Sequence, residues 1–376
     1  MWITGRPEGA ALLAPPAVTT ALTGMARCLG ELTGQIGQHV DIDGPALLGE
    51  RAAIAGWDRR GTTSVGGATR LVRAADDWLA VSLARHDDVA LLPAWLEVDI
   101  DQASPWPQLE TNLGRRPARE LVARASMLGL PVARLGETVE QRPVIASRMG
   151  SHGSTTSLDD VVVVDLSSLW AGPLAGSLLA EAGAHVVKVE DVRRRDGARR
   201  GPTEFFDLMN AGKELMVLDF AAEAGREALR NLLARADVVI EASRPRALEQ
   251  LGCDVHAIER HTDGRGPRVW VSITAHGRQW TARDRVGFGD DTAVAGGLVA
   301  TDDDGPVFLA DAVADPITGL VATVAVLDRL TTGDRWHLDL ALARTAKWLS
   351  GPTPPAPASL AVAAPRARPR TTRHPR

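Results

Sequence analysis

The sequence predicts an α/β fold, with a parallel sheet in its second half and a smaller α/β unit in its first. Three observations carry this. β-branched runs such as VVVVDL (161–166) recur in the second half and suit buried strands. Helical patterns such as AEAGREALRNLLARA (222–236) alternate with them. The hydrophobic fraction is 45% over 376 residues, enough for a sizeable core and compatible with two domains.

The elements follow in order. Residues 17–35 read as a helix, and GTTSVGGATR (61–70) as a Gly/Ser/Thr loop. LVRA (71–74) and WLAVSLA (78–84) read as strands joined by Ala75, Asp76 and Asp77. Residues 116–128 look helical and lead into GLPVARL, a further strand. Residues 1–140 are therefore expected to form the smaller α/β domain. QRPVIASRMGSHGSTTSLDD (141–160) lacks apolar periodicity and reads as a linker.

A Rossmann-like domain is expected over 161–350. VVVVDL is followed by a glycine turn and the apolar helix AGPLAGSLLAEAG. Strands then follow at HVVKVE (185–190), LMVLDF (215–220), DVVIE (237–241) and RVWVSIT (268–274). Ligands of such sheets bind at the carboxyl ends of the strands. The Pro-, Ala- and Arg-rich segment 351–376 is expected to be a disordered tail.

Composition narrows the function. A net charge of −5 gives no global attraction to nucleic acid or anionic membrane. No apolar run is long enough for a membrane span, and the N-terminus does not read as a signal peptide. Cys28 and Cys253 lack CxxC spacing, and the nine histidines show no metal-ligand spacing, so reduced thiols, no metal site and a cytoplasmic location are expected. There is no tyrosine, which excludes reductases that depend on one as catalyst.

The glycine turn after the first strand raises a dinucleotide site, with Glu190 ending the second strand. The fingerprint is absent, because the glycines are Gly172 and Gly176 with Pro173 between them. A purely structural reading, tight strand–helix packing, explains Gly176 and Gly183.

DLSSLWAGPLAGSLLAEAGAHVVKVE resembles the start of the family III CoA-transferases, the group containing formyl-CoA transferase, carnitine CoA-transferase and α-methylacyl-CoA racemase. DGARRGPTEFFDLMNAGKELMVLDF, ADVVIEASRPRALEQLGCD, RVWVSITAHGR and VADPITGLVATVAVLDRLTTGDRWHLDLAL resemble successive segments of that family, nearly continuously over 158–345. GGATRLVRAADDWLAVSLA and MLGLPVARLGE resemble the family's later half, yet here they come first. The order implies a circular permutation, tolerable where the original termini lie close together.

The resemblance implies transfer of CoA between carboxylic acids, with acyl-CoA as substrate, no permanently bound cofactor and an interlocked homodimer. It implies Asp315 as nucleophile, forming a mixed anhydride and then an aspartyl-CoA thioester. Pro316 suits a first helical turn, so Asp315 is expected at the N-cap, where Asp is favoured for structure alone. Asp311 is expected before that helix as a turn residue. Carried over, Ser168, Trp170 and Ala171 line the nucleotide and pantetheine, Arg199 meets phosphate, Leu218 lies beside adenine, and Ser243 and Arg244 fall in the Arg-Pro loop. Gly66 and Gly67 match the glycine loop that covers the intermediate, with an ordinary turn as the alternative. Arg194 and Arg195 fit surface charges equally well.

Two departures matter. The family's Glu-Asn-Phe reads EAS (241–243), and Phe288 stands where the racemases carry a histidine. Phe cannot move a proton, which favours transfer over racemisation. Asp290 or Asp291 is a candidate second carboxylate. The alternatives are a racemase-type isomerase and a CoA-binding protein without turnover.

Overall fold

The computed structural model describes residues 2–279, 281–351, 364 and 366–369. A three-stranded antiparallel sheet contains β1 (Thr69–Arg73), β2 (Trp78–Ser82) and β3 (Val132–Arg134), as the hairpin pattern around Asp76 and Asp77 predicts. Its core is confined to residues 72–132, around Leu79, Trp95, Leu113 and Leu121. Trp95 satisfies its indole N–H on the Leu121 carbonyl at 2.9 Å.

The principal sheet has seven strands: β4 (Val144–Ser151), β5 (Val162–Asp165), β6 (His185–Asp191), β7 (Glu214–Leu218), β8 (Val238–Glu241), β9 (Val269–Thr274) and, after the short hairpin β10 (Ala300–Asp302) and β11 (Gly305–Val307), β12 (Asp334–Ala341). Their spatial order is β4-β12-β9-β8-β5-β6-β7. All neighbours are parallel except β4, which pairs antiparallel with β12. Succession runs outward from β5 to β7 on one side and from β8 through β9 to β12 on the other. The topological switch therefore lies between β5 and β8, where such sheets open a crevice at their carboxyl ends.

Helices cover both faces, as expected for a doubly wound sheet. Ala171–Glu181 and Ala314–Leu330 pack on the face bearing Val163, Ile240, Val271 and Leu338. Glu223–Arg235 and Val255–His261 pack on the face bearing Val164, Val187, Val239 and Trp270.

The segment 141–160, expected as a linker, contains strand β4. β4 is an edge strand exposed over much of its length, so VIASRMGS carries no alternating apolar pattern to betray it. The N-terminal helix, Pro16–Ile36, buries Val18, Leu22 and Leu29 in the principal core rather than with the three-stranded sheet. The tail expected over 351–376 lies largely outside the described residues. Within it, Arg368 pairs with the buried Glu50 carboxylate at 2.7 Å.

Candidate functional site

The site forms where β11 gives way to the helix Ala314–Leu330. A tight turn, 310–313, joins them, and Ala310 (φ 56°) and Ala312 (φ 44°) occupy the left-handed region. Side chains disfavour that region, so the surroundings must hold it. The Ala310 N–H donates to Thr4 Oγ1 at 2.9 Å, and the Ala312 N–H to Asp290 Oδ1 at 3.0 Å. Asp311, between them, is fully buried and takes a bidentate pair from Arg51, at 2.9 Å from Nε and 2.5 Å from the terminal nitrogen. It is the hydrogen-bonded turn residue anticipated, but without the solvent.

Asp315 is not the N-cap. The helix begins at Ala314 with Val313 as its cap, which places Asp315 and Pro316 in the first turn. There proline's missing N–H costs nothing and a carboxylate faces the positive end of the helix. Burial pushes the Asp315 carboxyl up to about 7, Asp290 and Asp311 adding to the rise while Arg51 and the Gly289 N–H oppose it. Asp290 is likewise raised to about 6 by burial and then by Asp311, with Arg51, the Ala312 N–H and Ser64 opposing. Three carboxylates thus share one guanidinium.

Gly289 makes this cluster possible. A Cβ there would lie 2.3 Å from Asp315 Oδ2 and 2.5 Å from the Ala312 carbonyl. Both contacts are far inside van der Waals range, and one is to backbone that cannot swing away. Gly289→Ala is expected to lower kcat/KM by on the order of 100-fold through displacement of Asp315. Steady-state kinetics beside a thermal melt check this, because retained activity would show that the carboxylate can move without consequence.

Arg51, on the short helix Glu50–Ala55, is the residue that sequence reading missed. Its guanidinium lies over the rings of Trp57 (5.7 Å) and Trp170 (5.1 Å). Burial alone would lower its pKa, but Asp311, with Asp290 and Asp315 adding to it, holds it above its usual value. The hint in the sequence is an arginine inside the small-residue helix ERAAIA, just before a tryptophan. Its partner is 260 residues away, so spacing does not show it.

The expected residues divide into two groups. Asp315, Trp170 and Gly66 come together around Arg51. Trp170 is buried and edge-on to Phe205 at 5.1 Å, and the Gly66 position faces the Arg51 guanidinium and the Trp57 ring. Gly67 sits beside it in a turn at φ 83°. Ala171 starts the helix after β5, and Ser168 is exposed in the turn before it.

The remainder line the carboxyl edge of the sheet. Arg199 already binds Glu190, at 3.0 and 2.6 Å, and stacks on Phe206 at 4.0 Å. Glu190, the acid considered for a ribose, is thereby committed to an ion pair. Leu218 ends β7 opposite Asp191. Ser243 and Arg244 follow β8, and Arg244 caps the helix Pro245–Leu251. Burial lowers the Arg244 pKa, and so do the cations Arg246, Arg85 and Arg194. Phe288 caps the helix Gly289–Gly296 through its backbone, whose N–H donates to Asp291 Oδ1 at 2.8 Å. Asp291 is fully buried and its pKa is raised well above the usual value, mainly by that burial.

A family model described as CoA-transferase family III matches residues 158–375. The chain belongs to this family. Among curated relatives of the family III chain, the succinyl-CoA–D-citramalate CoA-transferase of Chloroflexus aurantiacus is 28% identical over 208 residues, 52% of this chain and 51% of the relative. The succinyl-CoA:mesaconate CoA-transferase of Haloarcula hispanica is 30% identical over 207 residues, 50% and 52% of the two chains. A crystal structure of a CaiB/BaiF family protein from Brucella suis is 32% identical, covering 50% of this chain and 54% of that one with a TM-score of 0.47. The chain spans about half the length of the curated relatives it matches. Among the described residues, no helix is long and apolar enough to cross a membrane.

Proposed function

We propose that this chain moves CoA between carboxylic acids, with Asp315 as the covalent nucleophile. The observation that carries the reading is the placement of Asp315. A half-buried carboxylate of raised pKa sits in the first turn of a helix beside the carboxyl edge of a doubly wound sheet, opposed by one half-buried guanidinium. An Asp315 oxygen attacks the donor thioester carbonyl, and the C–S bond breaks to release CoA thiolate and leave a mixed anhydride. The thiolate attacks the Asp315 carbonyl, which releases the donor acid and leaves an aspartyl-CoA thioester. The acceptor carboxylate attacks in turn and displaces the thiolate. The thiolate then takes the acceptor's acyl group, forming the new acyl-CoA and restoring Asp315. Neutralisation of the developing charge falls to Arg51 and the Gly289 N–H.

The phosphates of CoA suit the cationic edge around Arg244, Arg246 and Arg194, with the pantetheine arm running along Ser168, Trp170 and Ala171 toward Asp315. Ser243, Leu218 and Arg199 complete the nucleotide side, and Gly66 and Gly67 cover the intermediate. The relatives are named as succinyl-CoA transferases, which supports a small dicarboxylate or its thioester as donor. The segments resembling the family's later half precede the others, which supports a circular permutation joined through 141–160, with a small domain around β1–β3 and a sheet domain that also takes up the N-terminal helix and β4. An interlocked homodimer in the cytoplasm completes the reading.

The test is chemical trapping. The protein is incubated with succinyl-CoA and hydroxylamine, and the modified residue is located by mass spectrometry. A hydroxamate at Asp315 is expected. CoA binding with neither adduct nor exchange would overturn transfer in favour of a binding protein.

A further inference from the structure

Beneath the turn that follows β5 lie four charged side chains that nothing in the proposed chemistry uses. Asp165, Lys188, Asp196 and Lys213 are essentially inaccessible to solvent. They form two ion pairs, Lys213 with Asp165 at 2.9 Å and Lys188 with Asp196 at 3.0 Å. A buried pair rarely improves on well-packed apolar side chains for stability, so its retention calls for another explanation.

Their hydrogen bonds supply one, because three of them hold the backbone of a single turn, at the Ser167 N–H, the Ser167 carbonyl and the Leu169 N–H. Asp165 Oδ1 accepts from both the N–H and the hydroxyl of Ser167. Lys188 donates to the Ser167 carbonyl. Asp196 Oδ1 accepts from the Leu169 N–H at 2.9 Å and from the Ala198 N–H at 2.9 Å. Lys213 reaches across to the Pro173 carbonyl, in the next helix, at 2.8 Å. Leu169 sits at φ 71°, a conformation a leucine avoids unless held there. Burial alone would raise the Asp165 carboxyl, yet Lys188 and Lys213 hold it at about 2, so it stays charged.

The turn is also tied to the reactive carboxylate. Trp170 lies under Arg51. The Ala171 carbonyl lies so close to Gly319 that a Cβ there would be 2.6 Å from it. Gly319 is four residues, one helical turn, beyond Asp315.

We infer that Asp165, Lys188, Asp196 and Lys213 are positioning residues for acyl-CoA. They lock the turn Ser167–Trp170 into one strained conformation and so fix the surface it offers the thioester arm relative to Asp315. The inference rests on the CoA-transferase reading above. None of the four touches the substrate. Each acts through the backbone it holds.

Two variants test it, Asp196→Asn and the double variant Lys188→Met/Asp196→Leu. The double variant removes both charges of one pair and is expected to fold, while leaving the Leu169 N–H without its acceptor. CoA titration calorimetry, hydrogen exchange at the Leu169 amide and separate KM values for acyl-CoA and acceptor acid are read together. In the double variant, CoA is expected to bind on the order of 10–100-fold more weakly, with faster exchange at Leu169 and the acceptor's KM unchanged. Asp196→Asn is expected to show the same pattern to a smaller degree. A folded double variant with wild-type CoA affinity and Leu169 protection overturns the inference alone. Failure of the double variant to fold assigns the pair to stability and overturns it as well. Wild-type protein that does not bind CoA sinks the transferase reading itself, and the inference with it.

Discussion

Replacing Asp315 by asparagine is expected to abolish CoA transfer while making the protein more stable at neutral pH. Loss of activity follows from the chemistry, because an amide oxygen cannot form the anhydride. The expected fall in kcat/KM is on the order of 10⁴-fold or more, as when a covalent nucleophile is removed elsewhere. The gain in stability follows from the environment. Asp315 titrates near 7 in the fold against 3.8 ordinarily, so the folded state binds this proton more tightly than the unfolded one. Its favourable contribution is present below pH 3.8 and is lost as pH rises to about 7. Above that, an ionised Asp315 works against folding. Asparagine keeps an acceptor for the Gly289 N–H and never ionises. The variant's Tm should therefore exceed that of wild type at pH 8, with the difference fading toward pH 4. Equal Tm values at pH 8 would show that the carboxylate is not strained by its surroundings. The same titration predicts that wild-type kcat/KM for acyl-CoA rises with pH through about 7.

The central strands of the sheet were legible because they are buried on both faces and therefore read as unbroken β-branched runs. Val162–Asp165, Val238–Glu241 and Val269–Thr274 all lie within the stretches read from sequence. β4 was not legible, because an edge strand has no need of an apolar face. Asp315 was singled out through its motif. Its true position, one turn-residue inside the helix, depends on the backbone of 310–313, where two alanines adopt a conformation their side chains give no reason to expect. Gly289 gave no signal as a glycine among many. Only the 2.3 Å approach to Asp315 Oδ2 shows why no side chain fits there. Lys188 lies within β6 and Lys213 just ahead of β7, and nothing in spacing shows that the fold seals both away from water. Long-range electrostatic pairing is what local sequence patterns fail to encode, and this site is assembled from it.

The second large effect is expected at Arg51, and its interpretation needs a pair of variants. Arg51→Met keeps an apolar stem against Trp57 and Trp170 but removes what is, among the described residues, the only cation that pairs with the fully buried Asp311. Breaking a buried pair from one side costs about 3–5 kcal/mol. A large fall in Tm is therefore expected, and by itself it would say nothing about catalysis. The companion variant, Arg51→Met/Asp311→Leu, removes both charges and should recover much of that stability. Asp315 distinguishes the roles. Arg51 lowers its pKa more strongly than Asp311 raises it, so deleting both should still leave the carboxylate more basic than in wild type. The pH profile of kcat/KM in the double variant should then shift to higher pH, and activity at pH 7 should fall while a partial recovery appears near pH 9. A double variant with restored Tm and an unshifted profile would make Arg51 a structural cation. A restored Tm with an alkaline shift makes it the group that keeps the nucleophile ionised.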